Sequence, residues 1–277
     1  MNEPGKTAII MVGGAMKSAH GGGFLYALAT ELGITKPDIM IASSGNAGNA
    51  FYYCAEQYEP MKRVWLERLS TRKFISLWRF WRVMDVDYLV DEVFKKQEPL
   101  DIQKVKTSSI QWHIPLADYD RGKTFYASVR DNLDPFEILR AAKAIPFLFG
   151  KRIPLAHHRY IDGEAGAILQ DHLSHALSLG ARNIVILNHT SNWTSLNSIP
   201  ARIYGRLIAH GMHDAILRDI ANDVTAWHAT NARVILLSPT NLACGTATIE
   251  QSCIKATFDR GVQDARALKD HLRMLSE

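Results

Sequence analysis

The 277-residue chain is poor in the features that would assign it to a special class. Its three cysteines, Cys54, Cys244 and Cys253, are an odd and sparse set, so no disulfide framework is expected and a reducing compartment is. It has no run of about 18 apolar residues, so nothing is expected to span a membrane and any lipid contact is peripheral. The opening MNEPGKTAIIMVGG lacks the basic, apolar and cleavage regions of a secretory signal. Both absences point to the cytoplasm, with peripheral contact at the inner membrane face. A net charge of only +4 argues against a nucleic-acid partner, which needs basic residues gathered on one face. No internal repeat or low-complexity tract is visible. A dinucleotide fingerprint is also missing: a G-x-G-x-x-G frame starting at Gly13 meets Ala15 and Ser18, and one starting at Gly21 meets Tyr26.

What is present is an ordinary globular composition, 47% hydrophobic and 22% charged, enough to bury a sizeable core. Thr7 to Val12 is an apolar, β-branched run ending in glycines, as a buried parallel strand would. A helix is expected from Gly23 to about Gly33. A second strand, DIMIA, follows Pro37 and ends at Ser43-Ser44-Gly45, after which helical composition resumes until Pro60. Residues 61–100 show no strand period and are expected to form a helical insertion or cap. Ser109 to Pro115 and Thr124 to Val129 read as strands joined by a turn at Asp120 and Gly122. A helix at PFEILRAAKA should stop before Pro146.

Beyond Asp162 the alternation continues. A helix is expected near Leu169 to Leu179, a strand at Asn183 to Asn188, and a long helix from about Ile203 to Trp227. A strand at Arg233 to Ser238 and a terminal helix within Asp259 to Leu275 complete the chain. This pattern implies one domain over residues 1–277, a three-layer α/β/α fold with a mostly parallel central sheet.

Three features carry chemistry. Ser44 lies where a buried strand gives way to a helix, between Ala42 and Asn46, in the setting of a nucleophile elbow, although a helix-capping serine would occupy the same place. Ser43 competes with it, but Ile41, two residues before Ser43, is bulky where an elbow needs a small side chain. Gly13, Gly14, Ala15 and Met16 lie between the first strand and its helix, where backbone N–H groups can converge on an anion, either a phosphate or an oxyanion. Asp162 ends a short apolar strand before Gly163. A Ser-Asp-His triad stays open on sequence order, because His172, His175, His189, His210, His213, His228 and His271 all follow Asp162. His210 and His213, three apart on an expected helix, have no third partner of zinc-site spacing.

In order and context these features resemble the patatin-like phospholipases. The family's G-G-G-x-[RK]-G loop resembles Gly13 to Ser18, its G-x-S-x-G elbow with the small residues after it resembles Ala42 to Ala50, and its D-G-[GA] resembles Asp162-Gly163-Glu164. Its A-S-x-A-I-P-x-x-F helix end is similar to Ile138 to Leu148. The resemblance implies a Ser44–Asp162 dyad and an oxyanion hole of backbone N–H groups around Gly13, Gly14, Ala15 and Met16, with Lys17 at the family's basic position. It further implies hydrolysis of phospholipid or acylglycerol esters without metal or organic cofactor. The departures are Ala42 and Asn46 in the elbow, Ala15 and Ser18 in the loop, and Glu164 after Asp162-Gly163. They leave a second expectation, a catalytically weakened lipid-binding protein. Basic residues interleaved with aromatics over 61–86, among them Trp65, Trp78 and Trp81, suit a membrane interface and equally a helical core.

Overall fold

The computed structural model describes residues 5–79, 82–146, 148–189 and 231–275. Its first half follows the expected alternation. Strand β1 (Lys6–Met11) leads through a short 3-10 turn (Ala15–Ser18) into α1 (Ala19–Thr30), and β2 (Ile39–Ala42) leads into α2 (Gly45–Cys54). Then come α3 (Tyr58–Arg63), α4 (Ile102–Thr107), the long strand β3 (Gln111–Asp118), β4 (Lys123–Ser128) and α5 (Pro135–Ala142). The hairpin β5 (Ile153–Leu155) and β6 (His158–Asp162) precedes α6 (Leu169–Ser178), β7 (Ala181–Leu187), β8 (Arg233–Leu237) and α7 (Gln251–Ala267).

The sheet runs β5-β6-β3-β2-β1-β7-β8, with β4 also paired to β3. Strands β3, β2, β1, β7 and β8 are mutually parallel, whereas β4 and β6 are antiparallel to β3. Alternation along the central strands builds a three-layer α/β/α arrangement. Ile9 and Met11 of β1 and Met40 and Ala42 of β2 face a large core shared with α1, α2 and α7. Ala8, Ile10, Ile39 and Ile41 face the opposite side, where Leu173 and Ala176 of α6 cover them.

Several elements differ from expectation. Residues 61–100 are not purely helical: two wide π-helical stretches (Val64–Arg68 and Tyr88–Gln97) flank a hairpin closed by an Ile75–Met84 bridge. Helix α4 is started by Asp101, whose side chain accepts the Lys104 amide as an N-cap. Helix α7 begins well before Asp259. His158 begins β6, because β5, only three residues long, turns back through Ala156 (φ 52) to pair with it. The helix expected over 203–227 lies outside the described residues.

Helices α1 and α7 cross in close contact. A side-chain carbon at Gly261 would lie 2.0 Å from the His20 carbonyl oxygen and 2.8 Å from the Phe24 nitrogen, both backbone atoms that cannot swing aside. Gly261→Val should therefore cost about 2 kcal/mol and lower Tm by roughly 4–8 °C. Differential scanning calorimetry checks this, and an unchanged Tm would mean that the two helices do not meet at this point.

Candidate active site

Both ends of the site are set by strand register. Ile41 of β2 pairs with His113 of β3, and β2 ends at Ala42, two residues before Ser44, while β3 runs on through Leu116 to Asp118. Strand β3 outruns β2, and its extra length carries β6, in which Asp162 pairs with that same Leu116. Ser44, just past the end of β2, and Asp162, at the end of β6, thus come to the C-terminal edge of the parallel strands, with the Ser44 hydroxyl close enough to act on the carboxyl; open α/β sheets place ligands at this edge.

At Ser44 the backbone bends hard, with φ 51 and ψ −125. A non-glycine residue held there carries strain on the order of 1–3 kcal/mol, which persists only where the surroundings enforce it. Here Ser43 N–H donates to the Met11 carbonyl (3.0 Å), and the Ser44 carbonyl accepts both the Ala47 amide (3.1 Å) and Lys143 Nζ (2.9 Å). Ser43 is fully buried, and its hydroxyl bonds to His172 Nε2 at 3.2 Å, turned away from the pocket that Ser44 lines.

The Gly13–Ser18 loop packs directly on this turn: a side-chain carbon at Gly13 would lie 2.7 Å from Ser44 Cβ. Its amides have different fates. Gly13 N–H donates to Glu164 Oε1 (3.0 Å), and Met16 N–H reaches the Thr246 carbonyl at 3.4 Å. The Gly14 and Ala15 amides have no acceptor among the described residues. Ala15 holds the left-handed conformation (φ 48) that the resembling family gives to glycine.

Asp162 closes β6 and starts a one-turn helix. Its amide donates to the Ala144 carbonyl (3.2 Å), and its Oδ1 accepts the Glu164 amide (3.0 Å). Gly163 is required next to it, since a side chain there would run into the Pro115 carbonyl oxygen at 2.2 Å. Oδ2 is buried and has no partner at hydrogen-bonding geometry among the described residues, while the Ser44 hydroxyl is the side-chain donor that favours the charged form. Burial, reinforced by the Glu164 charge, pushes the Asp162 carboxyl up to about 7. Glu164 goes the other way: burial alone would raise it, but His172, the Gly13 amide and Ser43 bring it below the usual carboxylate range.

A narrow apolar pocket opens beside Ser44. Met61, Val64, Leu69, Phe74, Met84, Val86, Leu89 and Phe94 line it, and Lys143 is its charged member. Its free interior is about 40 Å³, room for roughly three waters, so a longer chain enters only as flexible side chains such as Met61 and Met84 move aside. Ser44 itself is only 3% exposed, and the pocket is its way out.

Beneath the elbow runs a buried polar chain. Trp65 Nε1 donates to Asn49 Oδ1 (2.7 Å), Asn49 Nδ2 donates to Asn46 Oδ1 (2.9 Å), and Asn46 Nδ2 donates to the Val12 carbonyl (2.8 Å). Asn46 also meets His189, which bonds to His20 (3.1 Å), which in turn reaches Asp264 at 2.9 Å. Asparagine thus replaces the second elbow glycine with a side chain that bolts the turn to the loop strand. Burial beside His20 drives His189 down to about 3, so it is neutral. Among the described residues no histidine bonds to Ser44: His172 serves Ser43, and His175 pairs with His113. His210, His213 and His228 lie outside the described residues. Asp118, Asp120 and His158 converge near the surface, but the carboxylates already take turn amides and Arg159.

The pocket lining, the Asn49–Trp65 pair and the Lys143 contact were not found from sequence. A lysine inside the run ILRAAKAIPFL was the one visible sign of the last.

A family profile described as patatin-like phospholipase matches residues 9–167, more than half of the chain. The chain belongs to the patatin-like phospholipase family. Members of this family are lipid acyl hydrolases, and the matched span holds the loop, the elbow and the aspartate turn. No curated protein matches the chain by sequence. Among solved structures, VipD from Legionella pneumophila is 11% identical with a TM-score of 0.49, the alignment covering 95% of this chain and 67% of VipD.

The strain at Ala15 has a measurable consequence. Ala15→Gly should raise stability by about 1 kcal/mol, because the native left-handed backbone costs alanine more than glycine. Urea denaturation would show a higher midpoint at unchanged slope; a lower midpoint would mean the loop is not held in this conformation.

Proposed function

We propose that this chain hydrolyses acyl esters of phospholipids or related acylglycerols through a Ser44–Asp162 dyad. The observation that carries the reading is the Ser44 hydroxyl acting on the buried Asp162 carboxyl, beside an apolar pocket and two loop amides that have no acceptor among the described residues. Asp162 takes the Ser44 proton, and the oxygen attacks the ester carbonyl. The Gly14 and Ala15 amides receive the developing negative charge, aided by the N-terminus of α2. The alcohol leaves with the proton from Asp162, giving an acyl-enzyme. Asp162 then takes a proton from water as it attacks the acyl carbonyl, and returns that proton to the Ser44 oxygen as the acyl–oxygen bond breaks and the fatty acid leaves. Gly13 and Met16, whose amides are engaged, hold the loop in shape. We read the whole chain as one domain, the segment around 61–100 forming the pocket wall.

A base must be deprotonated to act. With Asp162 near 7, kcat/KM for a p-nitrophenyl ester should climb as pH rises through about 7 and level off above it. Ser44→Ala should reduce turnover by at least about 1000-fold and abolish labelling by a fluorophosphonate probe. Equal hydrolysis before and after that substitution would remove the proposal. A second reading, lipid binding without turnover, draws on Glu164, whose carboxylate occupies the Gly13 amide beside the oxyanion loop. Vesicle binding with neither turnover nor labelling would select it.

Membrane contact is narrower than the stretch 61–86 suggests. Trp65 is core, while Arg63 and Arg68 pair with Glu98, and Arg79 and Arg82 pair with Asp85. The exposed part is the hairpin tip, where Leu77 is 75% and Trp78 86% exposed, next to exposed Arg72 and Lys73. Trp81 lies outside the described residues. We assign lipid contact to this tip, whose base supplies Phe74 and Met84 to the pocket. Trp78→Ala should weaken sedimentation with anionic vesicles about tenfold; unchanged binding would place the contact elsewhere.

A further inference from the structure

Helix α5 ends at Ala142, and the two residues that follow touch both members of the dyad. The Ala144 carbonyl accepts the Asp162 amide at 3.2 Å, and Lys143 Nζ donates to the Ser44 carbonyl at 2.9 Å. Lys143 is only 7% exposed, sits 5.9 Å from the centre of the Phe94 ring, and forms no contact ion pair among the described residues. A buried ammonium bonded to one carbonyl bears a desolvation cost of several kcal/mol unless a nearby opposite charge offsets it. Among the described residues Asp162 is the acidic group that acts on it.

We propose that Lys143 is a positioning residue of the dyad: its ammonium clamps the carbonyl of the strained Ser44 turn and provides the counter-charge for the Asp162 carboxylate. The kinetic part of this inference rests on the dyad reading above. Among the described residues the side chains that act on Asp162 are Glu164 from its own turn, Ser44 from the elbow and Lys143 from the segment after α5. His172 of α6 reaches it only through Glu164. Burial and Glu164 favour a proton on Asp162, and Lys143 opposes both. In return Asp162 opposes the burial that brings Lys143 down to about 7. Without the ammonium, Asp162 keeps its proton at neutral pH and cannot accept one from Ser44. A residue that merely fills space at a helix end would have no such electrostatic effect.

The test is carbon NMR of the full chain labelled at the aspartate carboxyl carbons, with Asp162 assigned as the signal lost in Asp162→Asn. Lys143→Gln keeps a donor for the Ser44 carbonyl and removes the charge. Its Asp162 signal should titrate about 1–2 pH units higher than in the wild type, and the acid limb of kcat/KM should move by the same amount. Lys143→Arg, which keeps the charge, should restore the wild-type midpoint. The pair can also be read without altering the lysine: in Asp162→Asn the lysine signal titrating near neutrality should move to lower pH. An unmoved Asp162 midpoint in Lys143→Gln, or an unmoved lysine midpoint in Asp162→Asn, overturns the proposal whether or not the protein hydrolyses esters. Moved midpoints in a protein with no Ser44-dependent hydrolysis would uphold the pairing and sink the dyad mechanism instead.

Discussion

A carboxylate stripped of water is the central constraint of this molecule. Asp162 is buried with one oxygen satisfied by a backbone amide and the other directed at the elbow, and burial drives it towards its neutral form. An acid so placed is a better base once ionised, but it needs local support to ionise at all. The surrounding groups divide that task. Glu164 works against ionisation while its own charge is absorbed by His172 and the Gly13 amide, whereas Ser44 and Lys143 work for it. The carboxylate therefore sits near the balance point where small changes in its neighbours decide its state.

The second constraint is mechanical. The elbow and the loop beside it both hold non-glycine residues at positive φ, Ser44 and Ala15, so neither turn would keep its shape alone. The chain of side chains from Trp65 through Asn49 and Asn46 to His189, His20 and Asp264 supplies the missing rigidity. Every member is buried or nearly so and has a partner. A network of this kind is favourable only when complete. The glycines lost from the motif are thus compensated by polar groups beneath it rather than by further small residues.

Much of this was legible in sequence, for identifiable reasons. Apolar runs ending in small residues located β1 and β2, and the order of loop, elbow and Asp162-Gly163 located the two candidate catalytic side chains. What escaped depends on distance or on context. Trp65 and Trp78 are the same residue in the same basic, aromatic stretch, yet one is hydrogen-bonded in the core and the other projects into solvent. Lys143 looks like any helix-end lysine until Ser44, 99 positions away in sequence, is brought to it. Asp264 and His20 are separated by 244 positions, and no local pattern links them. Strand β5 is too short for periodicity to register.

The crossing of α1 and α7 bears on where the working unit ends. The recognisable family span stops at residue 167, but β1, which carries the loop, has β7 as one of its two neighbours, and β7 begins at Ala181. The last anchor of the polar chain, Asp264, comes from α7, later still. A fragment trimmed to the matched span would expose one side of the central strand and take both His189 and Asp264 from the ring nitrogens of His20. The boundary drawn by motif similarity is therefore narrower than the boundary drawn by cohesion, and the latter reaches into α7.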